Sequence, residues 1–280
     1  MLRRANHPRV PGILYGTAWK RQDTERLVKL AIQSGFRGVD TACQPKHYDE
    51  GGVGAGISAC VNAGLARDEL YLQTKFTSVS GQDPRRCPYD AKAPLADQVA
   101  QSFIVSLQNL RTNHLDCLVL HSPMPTMAET LVVWRKFESL VDAGRVRQLG
   151  ISNCYRLADL SALYDSARIK PAVVQNRFYA ETGYDRELRA YCRQRQIGYQ
   201  SFWTLTANPH LLADATITAL ATTHQRTPAQ ILFRYLTQIG VTPLTGTRSE
   251  KHMIEDLAIF DFELTNSQQR AVEQLVVGGH

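Results

Sequence analysis

The stretch "GTAWKRQDT", residues 16–24, closes the first apolar run of the chain, and its reading decides the fold. An open, doubly wound α/β sheet that binds a dinucleotide usually carries a glycine-rich phosphate turn after its first strand. Here a tryptophan, a lysine and an arginine stand where those glycines would be. A glycine cluster does occur further on, "GGVGAG" at 51–56. It follows the second apolar run and does not fit G-x-G-x-x-G, so it reads as the start of a closely packed helix.

Eight short apolar runs are predicted as strands: 12–18, 36–42, 70–76, 116–122, 147–153, 172–178, 197–203 and 240–246. Amphipathic stretches separate them, such as "DTERLVKLAIQSG" (23–35) and "LADQVAQSFIVSLQNL" (95–110). The second has apolar residues at 99, 103, 104, 107 and 110, a helical period. Gly35, Gly64 and Gly144 read as helix stops. Eight strands alternating with helices over 280 residues predict an α/β fold, a single-domain (β/α)8 TIM-type barrel spanning 1–280.

Composition agrees. Hydrophobic residues make up 44% and charged residues 21%, as in an ordinary globular protein. The net charge of +6 is modest and acids are interspersed, so no nucleic-acid footprint is read. The cysteines at 43, 60, 87, 117, 154 and 192 form no C-x-x-C pair, so reduced buried thiols are expected, with no disulfide frame and no metal site. The basic start "MLRRANHPRVPG" lacks an apolar signal core, and no run reaches the ~18 apolar residues of a membrane helix. A cytoplasmic protein without membrane partners is expected, monomeric or weakly oligomeric.

In a TIM-type barrel the chemistry gathers where the strands end. Strand 1 ends at Thr17 and Trp19, strand 2 at Asp40 with Tyr48 beyond, strand 3 at Lys75, and strand 4 at His121. Strand 5 ends at Ser152 and Asn153, strand 6 carries Gln175, strand 7 ends at Phe202 and Trp203, and strand 8 leads to Thr245, Thr247 and Arg248. Singly these are helix caps, solvated lysines or rim histidines. Together, an Asp, a Lys and a His ending three consecutive strands would face one mouth, with a tyrosine in reach. A tyrosine with a free pKa of ~10 is a poor acid at neutral pH. A neighbouring ammonium would lower that value, a carboxylate would hold the ammonium, and a histidine would orient the substrate oxygen.

These residues stand in motifs that resemble the aldo-keto reductase family across nearly the whole chain: "GTAW", "VDTA…HYDEGGVG", "LQTKF", "DCLVLHSP", "GRVRQLGISN", "VVQNRF", "YQSFW", "PLTGT" and "DFELTNSQQRAVEQL". The order, each at its expected strand, is what makes the resemblance specific. It implies a barrel that binds NADPH in extended form without a glycine-rich turn. It also implies reduction of an aldehyde or ketone with a tyrosine as proton donor.

One stretch departs from the pattern. Family members commonly place the tyrosine five residues after the aspartate, and five from Asp40 is Pro45. The segment "CQPKH" (43–47) therefore reads as carrying three inserted residues. Counting back from the frame Glu50, Val53, Gly54 lands on His47, beside Tyr48. Tyr48 is taken as the acid, with His47 as the competitor or as a pocket residue.

The resemblance further implies that Ser152, Asn153 and Gln175 hold the nicotinamide carboxamide, that Phe202 stacks on its ring, that Leu205 meets the pyrophosphate and that Thr17 lies near the ribose. In "PLTGTRSEKHMIEDL" Leu244 and Thr245 replace the usual lysine and serine, while His252 and Asp256 fall near the usual arginine and asparagine. Arg248 and Lys251 supply cations for a 2′-phosphate, which favours NADPH over NADH. Trp19, Trp203, His47 and His121 are expected to wall the pocket of a small carbonyl substrate. The long loop 77–94, with Arg85, Arg86, Tyr89 and Lys92, is either a substrate contact or a solvated lid. The chain stops soon after its last helix, where longer relatives fold a loop over the substrate, so an open pocket is expected. Two other readings stand beside the reductase: a nucleotide-binding regulatory subunit on the same scaffold, and an aldolase using Lys75 as a Schiff base.

Overall fold

The computed structural model describes residues 10–278; residues 1–9, which hold most of the amino-terminal stretch, lie outside it. Eight parallel strands close into a barrel in chain order. They are β1 Leu14–Gly16, β2 Gly38–Asp40, β3 Tyr71–Phe76, β4 Leu115–Leu120, β5 Val146–Ser152, β6 Val173–Arg177, β7 Gly198–Phe202 and β8 Val241–Thr245. Each lies within its predicted run or within a residue of it. β1 closes on β8 through Leu14↔Leu244 and Tyr15↔Thr245.

The helices are α1 Thr24–Ser34, α2 Glu50–Asn62, α3 Leu95–Leu110, α4 Met127–Asp142, α5 Leu157–Ser166, α6 Arg186–Gln194, α7 Pro209–Ala213, α8 Ala215–His224, α9 Pro228–Gln238, α10 Glu250–Leu257 and α11 Asn266–Gly278. Local chemistry sets their ends. Thr126 with Glu129 and Thr227 with Gln230 form capping boxes at the starts of α4 and α9, and Pro228 fills the first turn of α9. The predicted stop Gly35 has φ +121°, a left-handed geometry that glycine takes without strain.

The cluster "GGVGAG" is indeed inside a helix, α2, and its glycines are spacers. A Cβ on Gly54 would lie 2.1 Å from the carbonyl oxygen of Asn109, and one on Gly56 would lie 2.7 Å from that of Glu25. So α2 touches α1 and α3 backbone to backbone.

Two apolar clusters hold the fold. The larger, with Phe36, Trp134, Phe137 and Phe233, lies between strands and helices. The smaller, Leu14, Tyr71, Cys117, Val119 and Val173, fills the barrel interior. Each large side chain buried this way contributes roughly 1.5–3 kcal/mol. At the N-terminal ends of the strands, buried Asp116 accepts from Arg67 at 2.9 Å, from Arg147 at 2.9 Å and from the Leu72 amide at 2.9 Å. Towards the other end the interior turns polar. The register pairs Asp40 with Gln73 and Gln175 with Gln200. Among the described residues no helix is long and apolar enough to cross a membrane.

Candidate active site

A cleft of about 1100 Å³ opens at the C-terminal ends of the strands. Its floor is set by strand periodicity. Asp40 is the last residue of β2, and Lys75 and His121 come from β3 and the residue after β4. Lys75 is buried and directs its ammonium to Asp40 Oδ1 at 2.7 Å, Asp40 Oδ2 at 2.6 Å and the Thr41 carbonyl at 2.8 Å. Three donors meet three acceptors, so the ion pair is internally satisfied, which a buried pair requires. An amine held this way has no free lone pair to attack a carbonyl, which argues against the Schiff-base reading.

The segment "CQPKH" (43–47) prolongs β2 before turning. Cys43, beyond β2, pairs with Phe76 at the end of β3, and the amides of His47 and Tyr48 both bond the Gln44 carbonyl at 3.0 Å. Gln44 Nε2 ties the turn to the Gly81 carbonyl at 2.6 Å. The turn sets Tyr48 and His47 against different neighbours. Lys75 Nζ lies 5.4 Å from the centre of the Tyr48 ring, and the ring of His121 meets Tyr48 edge-on at 6.1 Å. His47 instead packs on Trp19, ring centres 3.9 Å apart.

One expectation for Tyr48, the direction of its pKa, is corrected. Its hydroxyl forms no hydrogen bond to Lys75; the lysine sits over the ring because its protons go to Asp40 and Thr41. Its pKa is raised rather than lowered, by burial and by the Asp40 carboxylate. Desolvation outweighs an ammonium that Asp40 already neutralises. His121 is pulled down to about 3, by burial first and then by Lys75 and His47, so it is neutral at physiological pH. Its Nδ1 lies 2.6 Å from the Thr77 hydroxyl. His47 is also shifted towards its neutral form, by burial and by Lys46.

The remaining predicted residues divide. Ser152, Asn153, Gln175, Phe202, Trp203, Leu205, Thr245, Thr247, His252 and Asp256 all line the cleft. Thr17 does not: it is fully buried, and its hydroxyl donates to the Asp40 carbonyl at 2.9 Å. Thr245 Oγ1 donates to Asp256 Oδ2 at 2.7 Å, and burial pushes the Asp256 carboxyl up to about 6. Arg248 is not among the lining residues; it bridges Asp23 at 2.8 Å and the Trp19 carbonyl at 2.7 Å. Lys251 is exposed and pairs with Glu255 at 3.8 Å. From loop 77–94, Thr77, Ser78, Ser80 and Gly81 line the cleft, whereas Arg85, Arg86 and Lys92 do not. Tyr89 turns inward and donates to the Thr77 carbonyl at 2.6 Å.

Two cationic lining residues, Lys20 and Arg177, escaped the sequence reading. Lys20 is 5% exposed, donates to the Gly246 carbonyl, and is pulled down to about 8 by burial and by Arg248. Its signal was only a lysine in a turn. Arg177 lies between the rings of Tyr179 and Trp203, at 5.0 and 4.4 Å, and its Nε has no hydrogen-bond partner. Strain gathers here too: Trp19, Asn153 and Trp203 have φ of 62°, 53° and 56°. Such backbone is costly for non-glycine residues and concentrates at ligand sites.

A closed parallel barrel with a satisfied Lys–carboxylate pair at its C-terminal mouth defines the class, a barrel enzyme. The sequence profile of the Aldo/keto reductase family matches residues 12–277. Glyoxal reductase of Bacillus subtilis is 32% identical over 248 residues, 89% of this chain and 82% of that protein. The crystal structure of an aldo/keto reductase from Brucella melitensis superposes with a TM-score of 0.82 at 27% identity, covering 95% of each chain. The Bombyx mori aldo-keto reductase in complex with NADP superposes with a TM-score of 0.80 at 25% identity, covering 95% of this chain and 89% of that one. The chain belongs to the aldo/keto reductase family and is an oxidoreductase.

Proposed function

We propose that the chain is an NADPH-dependent reductase of small aldehydes or ketones, with Tyr48 as proton donor and His121 orienting the carbonyl oxygen. The observation that carries this reading is the Asp40–Lys75 pair with Tyr48 and His121 against it on adjoining strand ends. The cleft fits a dinucleotide in its donor set. Ser152, Asn153 and Gln175 offer polar atoms for a carboxamide, Phe202 offers a ring face, and Lys20 offers a cation for phosphate. When bound, NADPH supplies the two reducing electrons.

The protein's own residues handle the proton. Burial keeps the Tyr48 phenol protonated at rest, so it is loaded with the proton that a developing alkoxide needs. Neutral His121, anchored at Nδ1 by Thr77, presents Nε2 to the carbonyl oxygen and adds no charge that would compete for that proton. Lys75, locked by Asp40, provides a fixed positive dipole under the site where negative charge grows. The aromatic walls Trp19 and Trp203 narrow access for water.

The test is NADPH oxidation against a panel of aldehydes and ketones, including glyoxal, the substrate named for the Bacillus subtilis relative. Turnover that vanishes in Tyr48→Phe supports the reading. Cofactor binding without turnover on any carbonyl would instead mark a nucleotide-binding regulatory subunit.

A further inference from the structure

Three glutamine amides cluster with the Asp40 carboxylate at and below the cleft floor. Asp40, Gln73, Gln175 and Gln200 are all at most 2% exposed and form a closed ring of hydrogen bonds. Gln73 Nε2 donates to Asp40 Oδ1 at 2.7 Å and to Gln200 Oε1 at 2.9 Å. Gln175 Nε2 donates to the same two oxygens, at 3.0 and 2.9 Å. Gln200 Nε2 returns a bond to Gln73 Oε1 at 3.1 Å. Asp40 and Gln175 line the cleft; Gln73 and Gln200 do not.

The orientation of these amides follows from chemistry. A carboxylate paired with an ammonium only accepts, so Gln73 and Gln175 must each turn their nitrogen towards Asp40. Gln200 then faces two NH2 groups and must offer its oxygen to both. Each Gln175 amide proton has an acceptor below the floor, which leaves Oε1 as the polar atom turned to the cleft. Interior barrel layers are ordinarily branched apolar side chains, so two further glutamines at this level call for a role.

We propose that Gln73 and Gln200 are positioning residues of the cofactor site. Through Asp40 and Gln200 they lock the Gln175 amide so that its carbonyl oxygen, and not its NH2, accepts a hydrogen bond from the nicotinamide carboxamide. This rests on the cofactor reading above. It makes Gln175 a pure acceptor and assigns its orientation to residues that never touch the ligand.

The experiment is a fluorescence titration of NADPH against cofactor-free wild type, Gln200→Met, Gln175→Leu and the double variant. Gln200→Met keeps the volume and removes the acceptor, so the NADPH Kd should rise on the order of 3- to 10-fold, a larger change than in kcat. Because Gln200 acts through Gln175, the double variant should bind no worse than Gln175→Leu alone. Gln200→Glu retains an acceptor for Gln175 and should recover most of the affinity. An unchanged Kd in Gln200→Met, additive losses in the double variant, or no recovery in Gln200→Glu would each overturn the proposal. Should Gln200→Met fail to fold, hydrogen exchange of the Gln175 side-chain NH2 in wild-type protein without cofactor reads the same lock: slow exchange is expected, and exchange at the rate of a surface glutamine overturns it. Wild type that does not bind NADPH would sink the cofactor reading instead, and the exchange measurement would still decide the lock.

Discussion

The two halves of the cleft mouth are built by different means. On the β2–β4 side, the charged residues stand on strand ends and are tied downward into the barrel: Lys75 to Asp40 and Asp40 to Gln73 and Gln175. On the β8–β1 side, the charged residues stand on loops and on α10 and are tied sideways to neighbouring segments. Arg248 reaches Asp23 and Trp19, Lys20 reaches Gly246, and Thr245 reaches Asp256. The first half is fixed by strand register and needs no ligand to hold its shape. In the second half, a phosphate bound as proposed would compete with existing partners. Proton chemistry demands fixed geometry, whereas a charged cofactor tail can be gripped by loops that exchange partners.

The sharpest way to break this contrast is in the rigid half. Lys75→Met or Tyr48→Phe should lower turnover about 10²–10⁴-fold, the usual loss when a general acid or its support is removed, while NADPH still binds by fluorescence titration. Near-normal turnover in either variant would mean that the strand-end cluster is not the proton machinery. In the same turn, His47→Ala removes a ring packed on Trp19 and should cost under about 10-fold in steady-state kcat/KM. A larger loss there than in Tyr48→Phe would reverse the roles of the two residues.

In the loop-built half the effects should be smaller and confined to cofactor affinity. Lys20→Met is expected to weaken NADPH by roughly 10-fold, the scale of one charge-assisted hydrogen bond. Arg248→Ala should weaken NADPH by a few-fold and NADH less, read by parallel titrations of both cofactors. Equal losses would remove Arg248 from the 2′-phosphate assignment.

The smallest effect is a pH profile. Asp256, with its carboxyl near 6, is neutral below that value and repels phosphate above it. Lys20, near 8, keeps its charge below that value and loses it above. Relative to Asp256→Asn, wild-type NADPH affinity should therefore fall by a few-fold as pH rises through 6, and it should fall again through 8 as Lys20 loses its charge. Titrations across this range should show that Asp256→Asn removes the first step and Lys20→Met the second.

The same contrast explains what was legible in the sequence. Strand ends are readable, because an apolar run and its terminal polar residue define both position and direction. Asp40, Lys75 and His121 were found that way, and α3 at its observed bounds from period alone. Cross-loop ties were not, since nothing local links Arg248 to Asp23, 225 residues away. Gln73 and Gln200 were missed for a different reason: a glutamine in a strand reads as outward-facing until the barrel closes and turns it inward. Tyr48 was placed beside Lys75, but the direction of its pKa depends on how completely Asp40 neutralises the lysine, which is a matter of ångströms.

The glycine spacers of α2 carry a last consequence, for anyone redesigning this pocket. Because Gly54 and Gly56 clamp the helix against α1 and α3 with no room for a methyl group, α2 cannot slide when the chain ahead of it grows or shrinks. The segment from Gln44 to His47 is thus a cassette between two fixed posts, the Cys43–Phe76 bridge and the Asp49 cap of α2. Libraries that vary both its length and its sequence should yield folded proteins, and they would sample new pocket walls around Lys75 and His121 without disturbing the barrel below.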